Sequence, residues 1–183
     1  VSGINIVRIG AVDRDILDYL ALTMPDNLGV QCAISDALLD PRDAFDSKRR
    51  QYNSTRLLLK LLEIDSDRCG KTLGVADVDL FIPVLTFVFG EAQLGGRAAV
   101  ISTQRLRQQF YGLPEDDALF YGRCEKEAVH ELGHAFGLAH CRSNSCVMHF
   151  SNSIEQVDLK EAALCETCRA AIEDKRAVIA GTS

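Results

Sequence analysis

Apolar positions along this chain follow two rhythms, and the change from one to the other marks out its elements. β-Branched residues crowd 4–12, which predicts a first strand. From Asp13 the rhythm becomes helical. Ile16, Leu17 and Leu20 share one side of a helix capped by Asp13 and ending at Leu22. Val30, Cys32 and Ile34 alternate in a second strand at 29–34. The charged stretch 40–52, with Pro41 near its start, predicts a surface loop. Asn53 or Ser54 caps a helix whose apolar side carries Leu57, Leu58, Leu61 and Leu62. Strands are expected at 73–80, 86–93 and 97–103, the last two joined across Gly95-Gly96 as a hairpin. A long helix is expected over 116–136, with Gly122 weakening its start. Loops follow at 142–145 and 151–153. Val157 as a staple, with Asp158 and Glu161 as a capping box, predicts a helix beginning at Asp158. A last helix follows Cys168 through Ile172 to Val178. This order predicts an α+β (mixed α/β) fold, a mixed sheet backed by helices. It divides into a larger part, 1–137, ending with the long helix, and a small part, 138–183.

Composition narrows the function. The 183 residues suffice for one core with a small appended subdomain. A net charge of −6 and a pI near 5.2 argue against a nucleic-acid partner, which calls for a basic surface. The longest apolar run, 80–90, contains Pro83 and is too short to span a bilayer, so no membrane partner is expected. The chain opens at Val1 without a basic n-region and small-residue cleavage site, and the expected location is the cytoplasm.

The chemistry concentrates in His130-Glu131-Leu132-Gly133-His134, followed by Gly137 and His140-Cys141. On a helix advancing about 100° per residue, His130 and His134 project from nearly the same face and can grip one ion. Glu131 can act as general base on a water at that ion. Gly137 permits a sharp exit that returns His140 as a third ligand. Three histidines with one open position describe a catalytic zinc rather than a structural one. Five such fixed positions arise by chance with probability on the order of one in a hundred thousand or less, so the pattern is read as a site. The remaining histidine, His149, reads as a hydrogen-bonded loop residue rather than a fourth ligand or proton donor.

Seven cysteines make an odd count, and four of them are grouped: Cys141 and Cys146 as C-x4-C, Cys165 and Cys168 as C-x2-C. Four thiolates at this spacing can enclose a structural zinc and leave no place for water. Two disulfides or four idle thiols are the competing readings; the absence of a secretory signal favours zinc. A zinc-ribbon nucleic-acid module is the other use of such cysteines, and the acidic balance counts against it. Cys32, Cys69 and Cys124 read as small buried hydrophobes.

Taken together, H-E-L-G-H-A-F-G-L-A-H-C, then C-V-M, then C-E-T-C resemble the archaemetzincin family of zinc metallopeptidases. Gln51-Tyr52-Asn53-Ser54-Thr55 and Glu127-Ala128-Val129-His130 also look like family features. The resemblance implies a metzincin-like fold: a twisted mixed sheet of about five strands, an active-site helix and a small zinc-bound C-terminal subdomain. It implies two zinc ions. His130, His134 and His140 would hold the catalytic one, with Glu131 as base and proton shuttle. Cys141, Cys146, Cys165 and Cys168 would hold the structural one. Met148, otherwise a core filler, would form the Met-turn beneath the histidines. The spacer between Met148 and Cys165 is one residue shorter than the family usually carries, which leaves the ligand set intact.

The expected function is hydrolysis of peptide bonds in a peptide or protein substrate, held against an exposed sheet edge for which 86–93 is the candidate. Two other readings stand beside it. One is a zinc-bearing, peptide-binding scaffold with weak or absent hydrolysis, which intact Glu131 and the histidines disfavour. The other is an amidohydrolase acting on a non-peptide amide, for which the same water and base would serve.

Overall fold

The computed structural model describes residues 3–64 and 70–181. Its centre is a five-stranded mixed sheet built from β1 (Ile4–Ile9), β2 (Cys32–Leu39), β5 (Lys71–Ala76), β7 (Gly90–Ala92) and β8 (Ala98–Ser102), in the order β2-β1-β5-β8-β7. The first four in that order run parallel and only β7 is antiparallel, returning through the Gly95-Gly96 hairpin to pair with β8. Two-sided burial explains the continuous apolar runs of the central strands. Ile4 and Ile6 of β1, Leu73 and Val75 of β5, and Ala99 and Ile101 of β8 face one core. Val7, Ile9, Ala76, Ala98 and Val100 alternate with them into a second core.

Helix α1 (Arg14–Leu28) and helix α3 (Asp117–Ala135) pack over the first face, and α2 (Ser54–Glu63) covers the second. Asn53 caps α2 by accepting the Arg56 N–H at 3.0 Å. The buried Leu57, Leu58 and Leu61 fasten it to the sheet, each contributing about 1.5–3 kcal/mol. Asp116 caps α3 at Leu119 N–H, 2.9 Å, so the long helix starts and ends within a residue of expectation.

Elsewhere the chain departs from its local signals. Helix α1 does not stop at Leu22. It passes through Pro25 to Leu28, because Met24 and Leu28 extend the buried stripe of Ile16, Leu17 and Leu20 and outweigh the lost N–H. The second strand is correspondingly displaced from 29–34 to β2. The expected loop 40–52 carries two short strands, β3 (Phe45–Asp46) and β4 (Gln51–Asn53). They join β6 (Leu80–Phe81) in a three-stranded second sheet. The expected strand 73–80 is thus divided between β5 and β6, and 86–93 is strand only at β7.

The capping-box reading of Asp158 is also corrected. Helix α4 (Ile154–Leu159) contains Asp158 and ends one residue later. Asp158 accepts from Arg123 Nε and a terminal guanidinium nitrogen at 2.7 and 2.6 Å, so its carboxylate is committed to an ion pair rather than to a helix start. Helix α5 (Glu166–Gly181) begins before Cys168, with Arg169 N–H donating to Cys165 O at 2.9 Å. Cys124 is fully buried and Cys32 half-buried against the first core; Cys69 lies outside the described residues.

The Arg123 side chain is only 5% exposed and Asp158 33%. Asp158→Ala leaves that guanidinium buried with Leu106 O at 3.0 Å as an acceptor. Partial exposure of Asp158 moderates the loss, which is expected at about 2–4 kcal/mol in urea unfolding. A loss under about 0.5 kcal/mol would mark the pair as dispensable.

Candidate metal and active site

Helix α3 presents His130, Glu131 and His134 at the edge of the sheet, and the chain turns back after it. Gly137 makes the turn with φ 94°, a backbone conformation that side chains disfavour, and delivers His140 to the other two rings. His134 Nε2 lies 3.2 Å from His130 Nε2 and 3.2 Å from His140 Nε2. Nitrogens placed about 2.0 Å from a tetrahedral zinc would stand about 3.3 Å apart, so the donor set fits the ion.

The tautomers fit as well. Carbonyl oxygens can only accept, so the Nδ1–H of His130 donates to Val147 O and that of His134 to Leu138 O, both at 2.8 Å. Each Nε2 therefore keeps its lone pair for a metal. Burial lowers the pKa of all three histidines, most strongly at His130, and the Lys160 ammonium pushes each in the same direction.

Met148 is fully buried and packs against α3 at Gly133. A Cβ placed on Gly133 would collide with Met148 Sδ, so the helix needs glycine there for the sulfur to fit. His149 stays out of the triad; its Nδ1–H donates to Cys141 O at 2.9 Å.

The four grouped cysteines also converge. Their sulfurs lie within 4.8 Å of one another, and Cys141 Sγ is 3.8 Å from Cys165 Sγ. Thiolates about 2.3 Å from a tetrahedral zinc would be about 3.8 Å apart, whereas a disulfide requires about 2.05 Å. The Cys168 N–H, foremost, brings the Cys165 thiol down to about 7.

A cleft of about 400 Å³ opens over the histidines. Ile82, Leu85, Phe87, Phe89 and Phe150 give it apolar walls, and Glu91, Glu127, Glu131 and Lys160 are its charged groups. Burial drives the Glu131 carboxyl well above its usual range; Glu127 adds to that, and Lys160 opposes it. Lys160 Nζ lies 2.9 Å from Glu127 Oε1, with the two side chains 1% and 4% exposed. This approach lacks hydrogen-bond geometry and leaves both atoms without a hydrogen bond. Sequence reasoning missed Lys160, since its partner sits on another helix and the local pattern imitates a cap. It also passed over Glu91 and Phe150, which carry no local signal.

Three convergent imidazoles, a glutamate beside them and a buried methionine packed on their helix point to a class, the zinc metallopeptidases, and a cluster of four thiols stands nearby. The chain belongs to Peptidase family M54, the archaemetzincins, whose profile matches residues 36–174. It is 43% identical over 172 residues to the archaemetzincin of Methanocaldococcus jannaschii, covering 94% of this chain and 93% of that protein. Among solved structures it is similar to the archaemetzincin of Methanopyrus kandleri, with a TM-score of 0.83, 32% identity and 96% of each chain covered. It is similar also to that of Archaeoglobus fulgidus, complexed with malonate, with a TM-score of 0.79, 37% identity, and 92% of this chain and 99% of that one covered. Among the described residues no helix is long and apolar enough to cross a membrane.

Two outcomes are expected. Gly133→Ala improves helix propensity yet forces Met148 aside, and should lower stability by about 1–3 kcal/mol in thermal unfolding; a gain would contradict the packing. Because burial lowers the histidine pKa values, protons compete for Nε2 only below the ordinary value of about 6.5. Zinc on the histidines should therefore survive dialysis at about pH 7 and persist below about pH 6.5, as read by metal analysis. Release already at about pH 6.5 would refute this protonation argument.

Proposed function

We propose that this chain is an active zinc-dependent peptidase with two zinc ions, a catalytic one on His130, His134 and His140 and a structural one on Cys141, Cys146, Cys165 and Cys168. The observation that carries the reading is the meeting of three Nε2 atoms in one cleft with a buried Glu131. When bound, zinc supplies a lowered pKa for the attacking water and polarisation of the scissile carbonyl.

The remaining work falls to the protein. Glu131 takes a proton from the attacking water. Burial raises its proton affinity, so once protonated it can hold that proton and return it to the leaving amine as the C–N bond breaks. Val147 O and Leu138 O keep His130 and His134 oriented throughout. The apolar walls exclude water and accept side chains of the substrate. β7 is last in its sheet, so its outer edge offers backbone groups to an extended peptide. This narrows the expected 86–93 edge to Gly90–Ala92. The thiol cluster supports a reducing, cytoplasmic setting.

Metal analysis paired with a mixed-peptide digest tests the proposal. Wild type and Glu131→Ala should each carry two zincs, with cleavage lost only in the variant; Cys165→Ser should fold poorly. Cleavage that persists in Glu131→Ala rejects the base. A wild type holding zinc on thiolates alone is a scaffold instead.

A further inference from the structure

The segment Gln51-Tyr52-Asn53-Ser54-Thr55 donates no metal ligand and does not line the cleft. Its polar side chains nevertheless act on the cleft rim. Gln51 Nε2 donates to Thr86 O at 2.9 Å and to Asp79 Oδ2 at 3.0 Å. Asn53 starts α2, which places Ser54 and Thr55 in its first turn. From there Thr55 Oγ1 donates to Glu91 Oε1 at 2.9 Å, and the buried Ser54 Oγ donates to Glu91 Oε2. Arg49 adds two bonds to the same rim, to Leu85 O at 2.9 Å and Pro83 O at 3.2 Å.

Thr86 and Glu91 both line the cleft, and Gly90 between them lies against the candidate base. A Cβ on Gly90 would stand 2.6 Å from Glu131 Cγ and 2.7 Å from Val100 O. The rim thus meets Glu131 with no side chain to spare, and a small shift of the rim changes the gap beside that carboxylate. At its other end the rim is fixed by Gly95 N–H donating to His134 O at 2.8 Å. Two anchors, one at a zinc-ligand helix and one at α2, set where the edge lies.

We propose that Gln51, Ser54 and Thr55 are positioning residues that act through Thr86 and Glu91, setting the register at which an extended peptide pairs with Gly90–Ala92 beside the histidines. Both Glu91 oxygens are engaged by hydroxyls, so Glu91 serves as the strut of this brace rather than as a reader of substrate charge. The inference rests on the peptidase reading and deepens it. The brace acts on the peptide backbone and not on the metal.

Binding of two zinc-directed hydroxamates separates these effects without requiring turnover. Acetohydroxamate reports the metal alone; a tripeptidyl hydroxamate reports metal and edge together. Thr55 is exposed, so Thr55→Val should fold. It is expected to keep wild-type zinc content and acetohydroxamate affinity and to bind the tripeptidyl hydroxamate about tenfold more weakly. Thr55→Ser should restore that affinity. Gln51→Leu should repeat the loss with a raised KM on any peptide the wild type cleaves. Tripeptidyl affinity in Thr55→Val within about twofold of wild type overturns the brace, as does a fall in melting temperature as its sole effect. A wild type that prefers the tripeptidyl probe but cleaves no peptide supports the brace and sinks the peptidase reading.

Discussion

Three imidazole lone pairs pointed at one place within 3.2 Å contacts repel one another, and the structure is arranged to hold them there. Helical periodicity brings two of them together, and the turn at Gly137 brings the third. Carbonyls at Val147 and Leu138 lock two rings by their far nitrogens. Both carbonyls belong to chain that follows α3, so that helix cannot orient its own imidazoles. The residues after Gly137 must fold back beneath it, and Met148 under Gly133 is the packing contact that seats them.

This dependence explains why a second metal cluster stands so close. His140 and Cys141 are neighbours, and Val147, which orients His130, follows Cys146 directly. The Cys141 N–H donates to Met148 O at 2.9 Å and the Val147 N–H to Ala163 O at 3.0 Å, so the thiol loop and the turn at Met148 share one backbone network. The C-terminal stretch is short, and an ion held by its four thiols would add order to that of its buried side chains. Lys160 adds an electrostatic tie, reaching Glu127 one turn before His130.

Charge in the cleft follows from the same packing. Glu127 and Glu131 lie four residues apart on α3, and burial makes their mutual repulsion costly. The Lys160 ammonium offsets it while holding the nearby histidines toward their neutral, ligating form. The cleft thus favours a deprotonated imidazole triad and a proton-retentive carboxyl together, and one buried cation opposes the second tendency while reinforcing the first.

Legibility divided along the distance between partners. The histidine and cysteine groups, the cap at Asp116 and the leucine stripe of α2 were readable because their physics acts within a turn or two: helical spacing, a side chain reaching its own helix's N–H groups, thiols in short pairs. The helix end expected at Leu22 and the cap read at Asp158 misled for the same reason. Both rested on local pattern, and the buried stripe through Leu28 and the Arg123 guanidinium outweighed it. The order of strands, the edge position of β7, the ion pair of Lys160 with Glu127 and the strut from Thr55 to Glu91, 36 residues apart, were decided only in three dimensions. Residue order alone determined which histidines and cysteines could meet; tertiary packing decided what surrounds them, because burial and long-range pairing arise from neighbours that no local spacing encodes.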